Sequence, residues 1–173
     1  MKTLAAIVVI LITSAVAHTQ WKKDGKAVED TLDRKSVGAF GGQLLVVRNP
    51  KAFIDDWQKP EMPQINPVSI VQRGELLGAF VLFAGCKADT QGACNSEVAY
   101  FLYRPDGSLY AEMKDQPLWK EKAPPSANTQ LGRAILGIRM EKDDPAGDYI
   151  IKAKVSDLNA AISFELETKI RLQ

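Results

Sequence analysis

Residues 162–172 read Ile162-Ser163-Phe164-Glu165-Leu166-Glu167-Thr168-Lys169-Ile170-Arg171-Leu172. Apolar side chains at 162, 164, 166, 170 and 172 alternate with polar ones, and a period of two places them on one face of a half-buried strand. Immediately upstream, Tyr149, Ile151, Ala153 and Val155 alternate with Asp148, Ile150, Lys152 and Lys154. Ser156-Asp157-Leu158-Asn159 supplies the turn between the two runs, so the pair reads as a hairpin. A third strand precedes it. Ala134, Leu136, Ile138 and Met140 alternate with Arg133, Ile135, Gly137 and Arg139 before Asp143-Asp144-Pro145-Ala146-Gly147 breaks the chain.

The same grammar extends towards the N-terminus. Leu76 to Ala84 is a nearly continuous apolar run, the pattern of a strand covered on both faces. Glu97 to Arg104 is a strand that turns at Pro105-Asp106-Gly107 into Leu109 to Met113, with proline preset for the second turn position. Gln43 to Val47 and Val68 to Gln72 add two shorter strands, which makes about eight, at the spacing of an all-β sandwich. One short helix fits between them. Asn49 can cap it, Pro50 suits its first position, Phe53 and Trp57 share a face, and Pro60 stops it. Phe53 and Trp57 are expected to close one end of the sandwich core, the alternative being a ligand platform.

With 173 residues, 46% hydrophobic and 25% charged, the chain has room for one ordinary domain and lies outside the collagenous, coiled-coil and disordered classes. Basic and acidic residues number 22 and 21, so no bulk charge argues for nucleic acid or an anionic membrane as partner. Residues 1–17 read as a secretory signal peptide: Lys2, the apolar run Leu4 to Ile12, and Ala15-Val16-Ala17 as the cleavage site. The apolar run is too short to span a bilayer, where about 20 residues are needed. The predicted mature chain is therefore periplasmic or secreted, without membrane insertion. Residues 18–40 form a polar, partly ordered arm in this reading, and 41–173 form the sandwich domain. Cys86 and Cys94 are an even pair in an exported chain and are expected to close a disulfide across the turn-like Lys87 to Ala93 segment.

Asp144-Pro145-Ala146-Gly147-Asp148-Tyr149, the alternating Ile151, Ala153 and Val155, and then Asp157 resemble the penultimate strand of immunoglobulin-like domains of exported bacterial proteins. The resemblance covers about 30 C-terminal residues and implies an immunoglobulin-like antiparallel β-sandwich. It also implies that Tyr149 returns its hydroxyl to the upstream backbone as a tyrosine corner. The antibody pattern is not followed: no cysteine stands two residues after Tyr149, and Cys86 and Cys94 are too close in sequence to bridge two sheets in the antibody manner.

The chemistry is bounded by composition. The single histidine, His18, leaves Ser-His-Asp and Cys-His mechanisms and multi-histidine metal sites without parts. No Gly-x-Ser-x-Gly elbow, phosphate loop or dinucleotide fingerprint occurs. The chain is accordingly read as a non-enzyme with no cofactor and no metal. Two segments offer metal alternatives. His18 at a new N-terminus would offer an amino group and an imidazole to copper, and Glu141, Asp143, Asp144 and Asp148 form an acidic turn that lacks the spacing of a calcium loop. A flexible arm and a solvated turn are preferred.

Lys114 to Gln130, with Pro117, Pro124 and Pro125, reads as a 17-residue loop carrying Leu118 and Trp119 among lysines. Leu118 and Trp119 are expected to fold back over the sandwich; the alternative, that they wait for a partner, makes them the predicted contact surface, joined by Asp89 and Gln91 of the disulfide-tied loop. The function expected is a binding or accessory module that offers loops or an edge strand to another protein of the cell envelope, as a monomer or weak homodimer. The alternatives are a carbohydrate-binding module stacking on Trp57, Tyr110 and Trp119, and a secreted enzyme using a carboxylate pair.

Overall fold

The structure is a computed structural model that describes residues 21–23, 26–61 and 63–173. The predicted signal peptide and His18 lie outside the described residues. Among the described residues eleven strands and one helix follow in the order β1 (Lys22–Lys23), β2 (Lys26–Ala27), β3 (Arg34–Val37), β4 (Phe40–Arg48), α1 (Pro50–Trp57), β5 (Ile70–Val71), β6 (Leu76–Ala84), β7 (Ser96–Tyr103), β8 (Leu109–Trp119), β9 (Gln130–Arg139), β10 (Gly147–Asp157) and β11 (Ile162–Leu172). All eight predicted strands are present, although the one expected at Val68 to Gln72 is only the two-residue β5, and β1, β2 and β3 are additional. Among the described residues no helix is long and apolar enough to cross a membrane.

Two sheets stack face to face, a four-stranded one ordered β3-β4-β6-β9 and a five-stranded one ordered β5-β11-β10-β7-β8. The chain crosses between sheets after β4, β5, β6, β8 and β9, so β4, β6 and β9 share one layer while β7, β10 and β11 share the other. That partition is the immunoglobulin-like sandwich. One pairing departs from an all-antiparallel arrangement: β5 lies parallel to β11, with Ile70 opposite Arg171 and Val71 opposite Leu172. The β10–β11 hairpin runs in unbroken register from Gly147 opposite Leu172 to Asp157 opposite Ile162.

The alternation in the sequence becomes the core. Val98, Tyr100 and Leu102 of β7, Tyr149, Ile151, Ala153 and Val155 of β10, and Phe164, Leu166, Ile170 and Leu172 of β11 meet Leu44, Val46, Ala79 and Val81 of the opposite sheet. Burying each large side chain stabilises the fold by about 1.5–3 kcal/mol. Tyr149 is fully buried, and its hydroxyl donates to the Pro145 carbonyl at 3.0 Å, which is the tyrosine corner.

The continuous apolar run of β6 is also explained. Phe80 and Leu82 point to the outer face, where with Leu45, Val47 and Phe53 they form a second buried cluster beneath α1. The helix therefore lies across the outer face of the four-stranded sheet; it does not close an end of the core, because the sheet it covers carries apolar residues on both sides. Asn49 caps it by accepting from the Ala52 N–H at 3.3 Å, with Pro50 at its first turn.

Two boundaries differ from the reading of the sequence. Arg34–Val37, placed in the N-terminal arm, pair antiparallel with Phe40–Gln43 and extend the sheet. The predicted loop from Lys114 is shorter, because β8 continues to Trp119. Pro117 is tolerated there since β8 is an edge strand, where a missing N–H costs no ladder bond. Asp115 takes a left-handed conformation (φ 54°) and the register shifts, which turns Leu118 inward.

Candidate binding groove between the helix and the edge strand

Trp57 ends α1, and Trp119 ends β8, more than 60 residues later in the chain. Both line one groove of about 180 Å³. Its remaining lining comes from Ile54 and Gln58 beside the helix and from Gln130, Leu131, Gly132, Arg133 and Ile135 of β9. Leu131 and Ile135 are partly buried against the outer cluster, so the groove is the unfinished margin of that cluster.

Each tryptophan is positioned by its neighbours. Trp57 packs on Phe53, with ring centroids 5.9 Å apart, and Phe53 in turn sits 5.1 Å from Phe80. Trp119 rests on Phe83 at 5.6 Å, donates its indole N–H to the Lys122 carbonyl at 3.1 Å, and carries the Arg133 guanidinium 4.8 Å above its ring. Arg133 is also held by Glu121, at 2.7 Å. The site thus presents two half-buried indoles over an aliphatic floor, with a cation and two amides at the rim, an arrangement suited to anchoring an apolar side chain that has polar neighbours.

The predicted contact residues separate. Trp119 lies in the groove, whereas Leu118 is folded back and fully buried in the main core, so it is no part of the contact surface. Alternation along β8 explains the difference: once the strand extends through 119, neighbouring residues face opposite sides. Asp89 and Gln91 are exposed on the disulfide loop. Asp89 Oδ1 accepts from the N–H groups of Gln91 (2.8 Å) and Ala93 (2.9 Å), and these bonds, that from Ala93 first, hold its carboxyl below the usual range. Asp89 therefore shapes its own turn.

Cys86 and Cys94 form the disulfide, with Cα atoms 5.9 Å apart. Asp157, a buried carboxylate, accepts from the Lys87 N–H at 2.7 Å, and the Asn159 side chain donates to the carbonyls of Lys87 (2.9 Å) and Ala93 (3.0 Å). The loop is tied to the β10–β11 turn as well as to itself. On its other side the Cys94 N–H donates to the Glu121 carbonyl at 2.9 Å, so the same loop braces the segment that follows Trp119.

Trp57, Tyr110 and Trp119 do not form one platform. Tyr110 is the second residue of β8 and Trp119 the last, a separation of about 30 Å along an extended strand. Tyr110 packs edge-on against Tyr149 at 5.9 Å, carries Arg104 on its ring and donates to Asp144 Oδ2 at 2.7 Å. Burial first, then the Asp144 carboxylate, push its hydroxyl up to about 12. Of the acidic turn, Asp144 is engaged by Tyr110 and by the Glu141 N–H, while Asp148 pairs with Arg171 and Lys169.

Sequence reasoning missed Gln58, Gln130 and Arg133 as groove residues. In the sequence Arg133 is only a polar position of a strand, and nothing local to it foretells that Trp119 lies under its guanidinium.

No family model and no curated protein sequence matches this chain. Among solved structures it is similar to a family 123 glycoside hydrolase from Clostridium perfringens, at 9% identity and a TM-score of 0.42, over 78% of this chain and 27% of that one. It is also similar to a CARDB domain from Pyrococcus furiosus solved with two metal ions, at 12% identity and a TM-score of 0.40, over 85% of this chain and 100% of that one. The chain spans about a quarter of the hydrolase's length.

Proposed function

We propose that this chain is a non-catalytic binding module of an exported protein, and that the groove flanked by Trp57 and Trp119 is its contact surface for another protein. The observation that carries the reading is the convergence of two half-buried indoles, from segments far apart in the chain, on the floor of Leu131 and Ile135. Tryptophan in a partly desolvated pocket with an arginine at its rim is the composition of an interface anchor. Export is supported by the disulfide, which persists in oxidising compartments, and by the apolar run Leu4 to Ile12. A non-catalytic role is supported by a composition with one histidine.

Site-specific photo-crosslinking tests it. A benzophenone side chain at Gln58 or Gln130 should capture a discrete protein adduct, while the same group at Lys152 or Lys169, on the five-stranded sheet, should not. Equal capture from both faces, or none from the groove, rejects the proposal. Binding to a glycan array that is lost in Trp57→Ala would instead favour the carbohydrate reading, for which the rim amides of Gln58 and Gln130 would serve as hydrogen-bonding partners.

A further inference from the structure

Four strands end the two main sheets, and three of them are poor templates for a further strand. β3 has four residues and β5 has two. β8 is long but carries three register shifts, the left-handed Asp115 and Pro117, devices that blunt an edge. β9 is different. It has ten residues and no proline, it ends the four-stranded sheet, and its register to β6 is regular from Ile135 opposite Phe80 to Arg139 opposite Leu76. Alternate N–H and C=O groups along this stretch point away from β6 and are available to an added strand.

The side chains beside this edge state what it would accept. Leu131, Arg133, Ile135, Gly137 and Arg139 share the outer face because their spacing is two. The row contains two cations and no acid. Arg133 is neutralised by Glu121, whereas Arg139 is exposed and has no ion pair among the described residues. Gly137 leaves open space, since a Cβ there would meet nothing within 4 Å. A second copy of β9 would bring only further arginines to this row, so charge complementarity selects an acidic strand.

Resting on the reading of the groove as a protein contact, we propose that its occupant is an extended, acidic segment of the partner, added as an antiparallel strand to the edge of β9 between Ile135 and Arg139, beyond the part packed against the end of β8. The ladder fixes a pattern. A carboxylate side chain stands opposite Arg139, and the residue four positions later, opposite Ile135 and on the same face, is apolar and seats between Trp57 and Trp119. Main-chain hydrogen bonds supply affinity, and the two side-chain positions supply selectivity.

The test uses the full chain, isotope-labelled, and a synthetic capped nonapeptide of alternating threonine and valine with glutamate at its third position and leucine at its seventh. The expected result is micromolar binding, slowed hydrogen exchange at alternate β9 amides, and shifted indole signals of Trp57 and Trp119. Methylating the peptide nitrogens that face β9 should weaken binding at least tenfold, as should Arg139→Glu. A lysine in place of the peptide's glutamate should recover binding to R139E. No binding at about millimolar peptide, or equal binding by the methylated peptide, overturns the inference. So does concentration-dependent protection of β9 without peptide, which would assign the edge to a second copy. Indole shifts with unprotected β9 amides would leave the groove as a contact site and reject strand addition alone, and photo-crosslinking from Gln58 decides the groove independently.

Discussion

Leu118 occupies the space that a side chain on Gly132 would need: a Cβ there would overlap the leucine Cδ1 and fall 2.8 Å from the Val81 carbonyl oxygen. This contact seats the end of β8 on the start of β9, and Trp119 is aimed into the groove by being the next residue along. Gly132→Ala is expected to destabilise by about 1–3 kcal/mol through overpacking, and Leu118→Ala by about 2–5 kcal/mol through the cavity it leaves. The double variant should lose less than the sum, because each change relieves the other, and urea denaturation of the four proteins measures the coupling. Strict additivity would show that the two residues do not touch.

Trp119→Ala should cost stability as well as binding, since the ring rests on Phe83. Trp57→Ala is expected to cost stability in the same way, because its ring packs on Phe53, whereas Arg133→Gln changes an exposed rim residue and should leave the fold largely intact. Comparing adduct yield from Gln58 with the thermal midpoint of each variant separates the roles. Unchanged crosslinking in Trp57→Ala would argue that the helix side of the groove is only packing.

The hydroxyl of Tyr100 donates to the Ala134 carbonyl at 3.1 Å, beside the bulge where β6 and β9 lose register. Tyr149 does the same for Pro145. Removing either hydroxyl by substitution with phenylalanine should cost about 0.5–1.5 kcal/mol, and up to about 3 kcal/mol if the carbonyl is left buried without a donor. Hydrogen exchange should then accelerate near β9 for Tyr100→Phe and near the 141–149 turn for Tyr149→Phe; the reverse pattern would contradict these assignments.

Asp148 lies opposite Arg171 in the β10–β11 ladder, and hydrogen bonds from Arg171 and then Lys169 hold its carboxyl well below the usual range. A carboxylate depressed in the native state stabilises fully above its unfolded value of about 3.9, and that contribution fades as pH falls through the lower native value. Asp148→Asn should therefore lower the thermal midpoint slightly at neutral pH, by less in high salt, and progressively less below about pH 4. A difference that grows on acidification would reverse the sign of the linkage.

The disulfide closes a short loop, for which the chain-entropy account gives about 2.5 kcal/mol. Asp157 and Asn159 hold the same loop through hydrogen bonds, so the reduced protein should remain folded with a lower denaturation midpoint. Asn159→Ala should make reduction more damaging than in the parent chain. Global unfolding on reduction alone would show that the covalent link dominates.

Much of the architecture was legible in the linear chain because a half-buried strand must alternate and a doubly covered one must not. Ile162–Leu172 and Leu76–Ala84 each announced their class through that rule. The helix was legible from Asn49 and Pro50, whose effects are local, and the role of Tyr149 was implied by the resemblance of its segment to an immunoglobulin-like strand. The groove was not legible. Trp57, Trp119 and Arg133 lie on three elements of two different layers, and no short-range pattern records which elements become neighbours. The register shift at Asp115 shows the same limit: whether Leu118 folds back or faces a partner is settled by a backbone choice that depends on the strand beside it. Periodicity determines which face of an element is apolar, because that is a property of its own pleat; what the face meets, and which margin stays open, is decided only when the layers pack.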